Sequence, residues 1–200
     1  MNKLVRITQC IAVAATLAGT AHASGLIGQR YFGASLGSVF WDNDVPLDNG
    51  FGFDLSYNNP LTKNTDLTLK YEYLSSNGKT VGIDDVTGQA ISFGATFYQE
   101  VQNGKAYIMP ALAWVHTKSD GTSNDWLWSI EGGYEITLSP TGSLTPYIAF
   151  TDGFNNDIDS SFSYGVRAAY DLSNEWTVVV DLGGDDDSNW TASGGFAYRF

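Results

Sequence analysis

Asn189 to Phe200 reads N-W-T-A-S-G-G-F-A-Y-R-F, and its two parities differ in kind. Trp190, Ala192, Gly194, Phe196, Tyr198 and Phe200 fall on one; Thr191, Ser193, Gly195, Ala197 and Arg199 fall on the other. In a strand, alternate side chains point to opposite faces. One face is thus apolar and aromatic at both ends, while the other is small or polar and carries a charge. A soluble sandwich strand alternates in the same way, so this stretch fixes the period and leaves open what each face meets.

Working back along the chain, the same period recurs. Ten alternating segments can be marked: Arg30 to Trp41, Gly50 to Asn58, Asp66 to Leu74, Gln89 to Tyr98 and Ala106 to His116 in the first half. Trp126 to Leu138, Leu144 to Asp152, Ser161 to Leu172, Trp176 to Gly183 and the terminal stretch make up the second. Phe51, Phe53, Leu55 and Tyr57 oppose Gly52, Asp54 and Ser56, for example, and Trp176, Val178, Val180 and Leu182 oppose Thr177, Val179 and Asp181. After Ala23 there is no sustained i, i+3, i+4, i+7 apolar pattern, and no run of about 18 apolar residues that would mark a membrane helix. The chain reads as all-β.

The charges decide which face is wet. Asp54, Lys70, Glu72, Glu131, Glu135, Arg167, Asp171, Asp181 and Arg199 all fall on the small-polar parity of their segments. A basic side chain facing lipid at mid-bilayer costs about 2–4 kcal/mol, whereas a barrel lumen tolerates it. Tyr and Trp gather near the segment ends: Tyr57, Tyr134, Tyr170, Trp176 and Tyr198 at one rim, Tyr73, Trp114, Trp126, Trp128 and Trp190 at the other. Amphipathic rings at two levels suit the two headgroup regions of a bilayer. The connections alternate as well. Asn59–Thr65, Gln99–Lys105, Ser139–Ser143 and Ser173–Glu175 are short; Asp42–Asn49, Ser75–Gly88, Thr117–Asn124, Gly153–Ser160 and Gly184–Ser188 are longer on average.

Residues 1–23 read as a secretory signal peptide, with Lys3 and Arg6 in a positive n-region, an apolar run from Ile11 to Ala18, and Ala21-His22-Ala23 as an A-x-A cleavage site. Cys10 lies within it, so the expected mature chain, 24–200, has no cysteine and no disulfide. Beyond the leader 8 basic side chains face 22 acidic ones, a net charge of −14. That balance gives no electrostatic footprint for nucleic acid.

With an aromatic strand ending on Phe200 and this pattern over Ser24 to Phe200, the chain resembles small bacterial outer-membrane β-barrel proteins of the OmpA-like, porin-family type. The resemblance implies a closed up-and-down antiparallel transmembrane barrel in the outer membrane. It further implies contact with outer-membrane lipid and lipopolysaccharide, and recognition of Phe196, Tyr198 and Phe200 by the barrel-assembly machinery. Ten strands are expected here, with eight as the alternative if two weak segments merge.

Four functional readings follow. The first is a structural or surface-interaction role through acidic extracellular loops, which hold Asp42, Asp44, Asp48, Asp84, Asp85, Asp152, Asp157, Asp159, Asp185, Asp186 and Asp187; the extracellular partner stays open. The second is a narrow channel for small cationic solutes along the inward charged set. The third is a rim hydrolase using His116 with Ser119, Asp120 or Asp125. It lacks the D-x-H and H-x-S arrangements that outer-membrane proteases and deacylases use, because a base needs an orienting partner. The fourth is a secreted soluble barrel with a ligand in its cavity. Asp185-Asp186-Asp187 is the best candidate for a divalent cation, against the plainer reading of a solvated acidic rim. No cofactor is expected.

Overall fold

A computed structural model describes residues 25–42, 45, 47–78, 85–119, 121–155 and 158–200. Ten strands follow in chain order: β1 (Tyr31–Phe40), β2 (Gly50–Thr62), β3 (Thr65–Ser76), β4 (Val86–Val101) and β5 (Gly104–Lys118), then β6 (Thr122–Ser139), β7 (Gly142–Gly153), β8 (Ser161–Asp171), β9 (Trp176–Asp185) and β10 (Trp190–Arg199). Each pairs antiparallel with its neighbours, and β10 closes onto β1 with Tyr31 opposite Arg199 and Phe40 opposite Trp190. Closure leaves no free edge. All ten expected segments are strands, and the eight-strand alternative falls.

Their ends extend beyond the alternating core. Two-residue turns at 63–64, 102–103 and 140–141 join strands at one end, and 172–175 joins β8 to β9 there. At the other end the loops are 41–49, 77–85, 119–121, 154–160 and 186–189. The β5–β6 connection is therefore much shorter than the expected Thr117–Asn124, because Thr117 pairs with Ser123 and His116 with Asn124. Polar residues extend these ladders past the point where hydrophobic alternation can be read.

Pro110 and Pro146 lie inside β5 and β7. Pairing lapses opposite each: the β4–β5 register passes from Gly94↔Ala111 to Phe97↔Ile108, and the β6–β7 register from Gly133↔Tyr147 to Ile136↔Leu144. A proline has no N–H to give the ladder.

Outward-facing Phe32, Leu36, Phe51, Leu69, Phe93, Ile148 and Leu182 are 48–58 % exposed. A continuous belt of such residues around a closed barrel is far more apolar surface than a soluble monomer leaves in water. Strands of 10 to 18 residues meet or exceed the ~9–11 needed to cross a bilayer obliquely. The soluble-barrel reading is thereby displaced by a transmembrane one.

The core is the lumen, in three tiers. At the turn end, Leu26 and Ile27 of the segment before β1 are 1 % and 4 % exposed. Leu26 packs with Tyr31, Ala169, Val179 and Ala197, and Ile27 with Tyr98, Tyr107 and Met109. The middle is polar and charged. At the loop end, Trp41 and Leu47 fold inward onto Val39, Leu74 and Val86, while Ile158 folds onto Ala90, Ala113, Val115 and Leu127.

Candidate functional site: the charged lumen and the acidic rim

Arg167 is fully buried and braces the middle tier. Its register partner on β9 is Asp181, and its Nε donates to Asp181 Oδ2 at 2.6 Å. Nη1 and Nη2 reach past β7 to β6, donating to Glu131 Oε1 and Oε2 at 2.9 Å each. The planar fork suits such bidentate capture of a carboxylate. The guanidinium also lies 4.0 Å from the centre of the Tyr147 ring. Tyr107 donates its hydroxyl to Glu131 Oε1 at 2.6 Å, and Tyr147 donates to Asp181 Oδ1 at 2.9 Å.

The two tyrosines fit because the wall opposite them has no side chain. A Cβ on Gly133 would lie 2.6 Å from the Tyr107 hydroxyl, and one on Gly165 would lie 2.4 Å from that of Tyr147. β6 and β8 thus make the room for these rings. Gly33 instead faces Ser56 and Tyr31.

A second cluster sits on β2 and β3. Lys70 Nζ is 3.8 Å from Asp54 Oδ1 and 3.5 Å from Glu72 Oε1. Ser35 on β1 donates to Asp54 Oδ2. All three charged residues are at most 5 % exposed.

A third group closes the turn end and includes two charges that the alternation count missed, Asp66 and Lys105. Glu135 accepts the Gly25 N–H, Asp66 Oδ2 accepts the Gly28 N–H at 2.6 Å, and Lys105 Nζ donates to the Ile27 carbonyl at 2.5 Å. Asn58 donates to the Gln29 carbonyl at 2.8 Å. The segment is folded by two glycines with φ of +81° and +84° at Gly25 and Gly28, a region that L side chains avoid. Asp66 already stands on the small-polar parity of the segment Asp66 to Leu74, and extending the fifth segment by one residue would have reached Lys105; the stretch before β1 has no strand period. Arg199 and Asp171 pair nearby at 3.2 Å in a more open position, with Asp171 also accepting from Thr177 at 2.8 Å.

With these groups and the apolar loop-end tier in place, little free space remains. Two cavities against the β1–β2 and β9–β10 walls hold about 20 Å³ each, close to one water.

On the outer face, Phe196, Tyr198 and Phe200 point to lipid. Tyr198 packs on Trp176 with centroids 5.1 Å apart, and Phe200 stacks on Tyr57 at 6.5 Å and on Tyr198 at 6.2 Å. His116 shares this outward face. It stacks on Trp114 at 5.9 Å, and its Nδ1 is 2.8 Å from Asn124 Oδ1. Asp125 is on the opposite parity, where it accepts from Ser123 at 2.9 Å. The sheet thus separates the histidine from that acid, and Asp120 lies outside the described residues, as do Asp44, Asp84, Asp157 and residues 1–23.

At the rim, Asp185 is 3 % exposed and holds the β9–β10 turn. Its Oδ1 accepts the Asp187 and Asn189 N–H groups at 3.0 and 2.8 Å, and Oδ2 accepts from the Asn189 side chain at 2.8 Å. Asp186 accepts from Ser161 and from the Phe162 N–H, both at 3.1 Å. Among the described residues no three Asp, Glu, His or Cys side chains are grouped to hold a metal ion.

These features can be set beside known proteins. No protein-family model matches the chain, and no curated protein matches it. Solved structures do. The translocator domain of the autotransporter NalP from Neisseria meningitidis aligns over 98 % of this chain and 94 % of that one, at 13 % identity and a TM-score of 0.56.

The fold is that of a bacterial outer-membrane β-barrel.

The β domain of the Bordetella autotransporter BrkA covers 86 % of this chain and 99 % of its own, at 11 % identity and a TM-score of 0.55. The NanC porin covers 84 % and 100 %, at 8 % identity and a TM-score of 0.50. In barrels of this kind short turns face the periplasm and longer loops the exterior; here the short turns lie at the Gly25–Arg30 end and the longer loops at the Asp185–Asp187 end. The likeness extends to the fold.

Proposed function

We propose that this chain is an integral outer-membrane protein with a structural or surface-interaction role, presenting an acidic extracellular rim above a lumen that does not conduct. The observation that carries this reading is the Arg167 brace, which ties β8 to β9 and β6 across the middle of the barrel. Below it the Gly25–Arg30 segment fills the periplasmic mouth, and above it Trp41, Leu47 and Ile158 fill the outer one. A ten-stranded barrel has little room beyond its side chains, and aqueous channels are the property of wider ones. What remains for partners is the rim. Asp48, Asp85, Asp152, Asp159, Asp186 and Asp187 lie there, and they attract a cationic surface at long range.

The test is single-channel recording of the detergent-folded protein in a planar bilayer, after its gel mobility is shown to shift on boiling. The expected result is a silent membrane. Discrete cation-selective steps that vanish on Glu131→Gln or Asp181→Asn would replace this reading with the channel one. In parallel, cells displaying the barrel should adhere to a polycationic surface more than cells displaying a variant with Asp48, Asp85 and Asp159 changed to Asn. Equal adhesion would remove the rim from the account.

A further inference from the structure

Residues 25–30 precede β1, belong to no strand, and fold back into the mouth at the turn end. Side chains hold their main chain there. Glu135 on β6 and Asp66 on β3 accept the Gly25 and Gly28 N–H groups, while Lys105 on β5 and Asn58 on β2 donate to the Ile27 and Gln29 carbonyls. Asn58 is itself aimed by Thr68, whose hydroxyl donates to its Oδ1 at 2.8 Å. These partners lie 29 to 110 residues away along the chain.

Apolar contacts complete the circle. Ile27 shares a cluster with Tyr98 on β4 and Tyr107 on β5. Leu26 shares another with Tyr31 on β1, Ala169 on β8, Val179 on β9 and Ala197 on β10. Gly25 faces β7, where a Cβ on it would come within 3.2 Å of the Ser143 hydroxyl oxygen. One short segment thus meets all ten strands.

The Leu26 cluster straddles the seam. Tyr31 and Ala197 lie on the two strands that close the barrel, Tyr31 opposite Arg199 and Ala197 opposite Gly33. While β1 and β10 are apart, the segment travels with β1, and the β8–β10 side of its seat is out of reach. Half a seat does not offset the conformational entropy of ordering the segment, least of all with glycine at positions 25 and 28. Contacts this distant in sequence must each close a long loop before they form. Once seated, the segment ties β1 to walls all round the mouth, so the seam cannot part without unseating it.

We propose that residues 25–30 are a closure latch: they stay unseated until β1 pairs with β10, seat as the last step of folding, and then hold the seam against reopening. The latch rests on the filled mouth and not on a silent lumen, so a conducting barrel would leave it standing.

The experiment follows the urea-unfolded chain, carrying Cys10→Ser and Ile27→Cys, as it refolds into detergent micelles. Gel mobility without boiling reports closure. A pulse of water-soluble maleimide reports whether residue 27, 4 % exposed in the closed barrel, is covered. Protection of the thiol should lag behind the mobility shift. Leu26→Ala, which empties the cluster across the seam, should leave the closing rate within about twofold of wild type and raise the unfolding rate in urea at least about tenfold, because an interaction made after the transition state acts on unfolding. Gly28→Ala should do the same, since its Cβ would meet the Tyr98 hydroxyl at 2.8 Å from a backbone at φ +84°.

Protection that precedes or accompanies the mobility shift would overturn the proposal. So would a Leu26→Ala chain that closes more slowly in proportion to its lost stability, or one that unfolds no faster than wild type. A Leu26→Ala chain that cannot close at all would overturn it too, since the barrel is to close before the latch seats.

Discussion

Arg167→Met is the perturbation that the lumen should feel most. The wild-type side chain makes three charge-assisted hydrogen bonds of 2.6–2.9 Å to two carboxylates and lies against the Tyr147 ring. Methionine keeps much of the stem's packing but supplies neither charge nor donor. Removing one partner of a buried ion pair typically costs about 3–5 kcal/mol, most of it the penalty of an uncompensated charge. Here two acids, Glu131 and Asp181, lose the same cation, which puts the expected loss at the upper end, about 5 kcal/mol. The loss should be recovered by neutralising the partners. The triple variant Arg167→Met, Glu131→Gln, Asp181→Asn leaves side-chain oxygens for the Tyr107 and Tyr147 hydroxyls to donate to, and should fall within about 2 kcal/mol of wild type, since replacing a whole buried ion pair is often near neutral. The three sites touch one another, so their effects will not add. Urea unfolding in micelles, followed by tryptophan fluorescence and by gel mobility, gives the three stabilities. A single variant that loses less than 1 kcal/mol, or a triple variant that loses as much as the single one, would refute the brace.

Other faces of the barrel can be tested with single changes. Val180→Arg, on the outward face of β9 and 45 % exposed, should cost about 2–4 kcal/mol in lipid vesicles, whereas Val180→Leu should cost almost nothing; equal stability of the two would contradict the assignment of that face to lipid. Deleting Phe200, which is 64 % exposed, stacks on the Tyr57 and Tyr198 rings and donates its N–H to the Arg30 carbonyl at 3.2 Å, should leave refolding in detergent nearly unchanged and reduce outer-membrane yield in cells severalfold, and an unchanged yield would exclude it from the assembly signal. Ile27→Cys places a thiol at a site 4 % exposed in the mouth at the turn end; it should resist a water-soluble maleimide until Lys105→Met and Asp66→Ala remove two of the groups that hold the segment. Rapid labelling without those changes would mean that the segment does not fill the mouth.

The strands and their facing were legible because a sheet has one period, two, and because charges are confined to one parity. Asp54, Lys70, Glu131, Arg167 and Asp181 could be placed inside from that alone. What each one touches could not be read, since Glu131 is 36 residues from Arg167 in sequence and meets it across an intervening strand. The two mouths were hidden for a different reason. In Gly25-Leu26-Ile27-Gly28 the apolar residues are adjacent, so neither parity claims them, and burial depends on φ values that only the glycines supply. Leu47 and Ile158 likewise sit in polar loop sequence, where a single apolar residue gives no period, and Trp41 ends the first alternating segment on its inward parity. Their partners Val39, Val86, Val115 and Leu127 lie on the inward parity at strand ends, and that excess of apolar residues on a face expected to be wet was the available signal. His116 shows the limit of reading by proximity in sequence: its neighbour Asp125 is close along the chain and on the other side of the sheet.

Ten strands enclose more width than small inward side chains can fill, and the lumen of this protein meets that demand in two ways. Near the β1–β10 seam, Gly33, Ser35, Gly37, Ser193 and Gly195 leave the wall thin and the remaining space small. Away from it, the long side chains Tyr107, Tyr147 and Arg167 carry the filling, joined by Tyr31 from the turn end of β1. A buried guanidinium is a poor choice if stability were the only requirement, because an apolar residue of like volume would serve as well. It is a good choice where one side chain must find partners on strands that are not neighbours. Arg167 meets Asp181 in register on β9 and Glu131 at a distance on β6, and no slipped pairing of β7 would keep both contacts. On that argument the charged middle tier serves to fix the register of the barrel, and the loop-end rim is left for the proposed surface role.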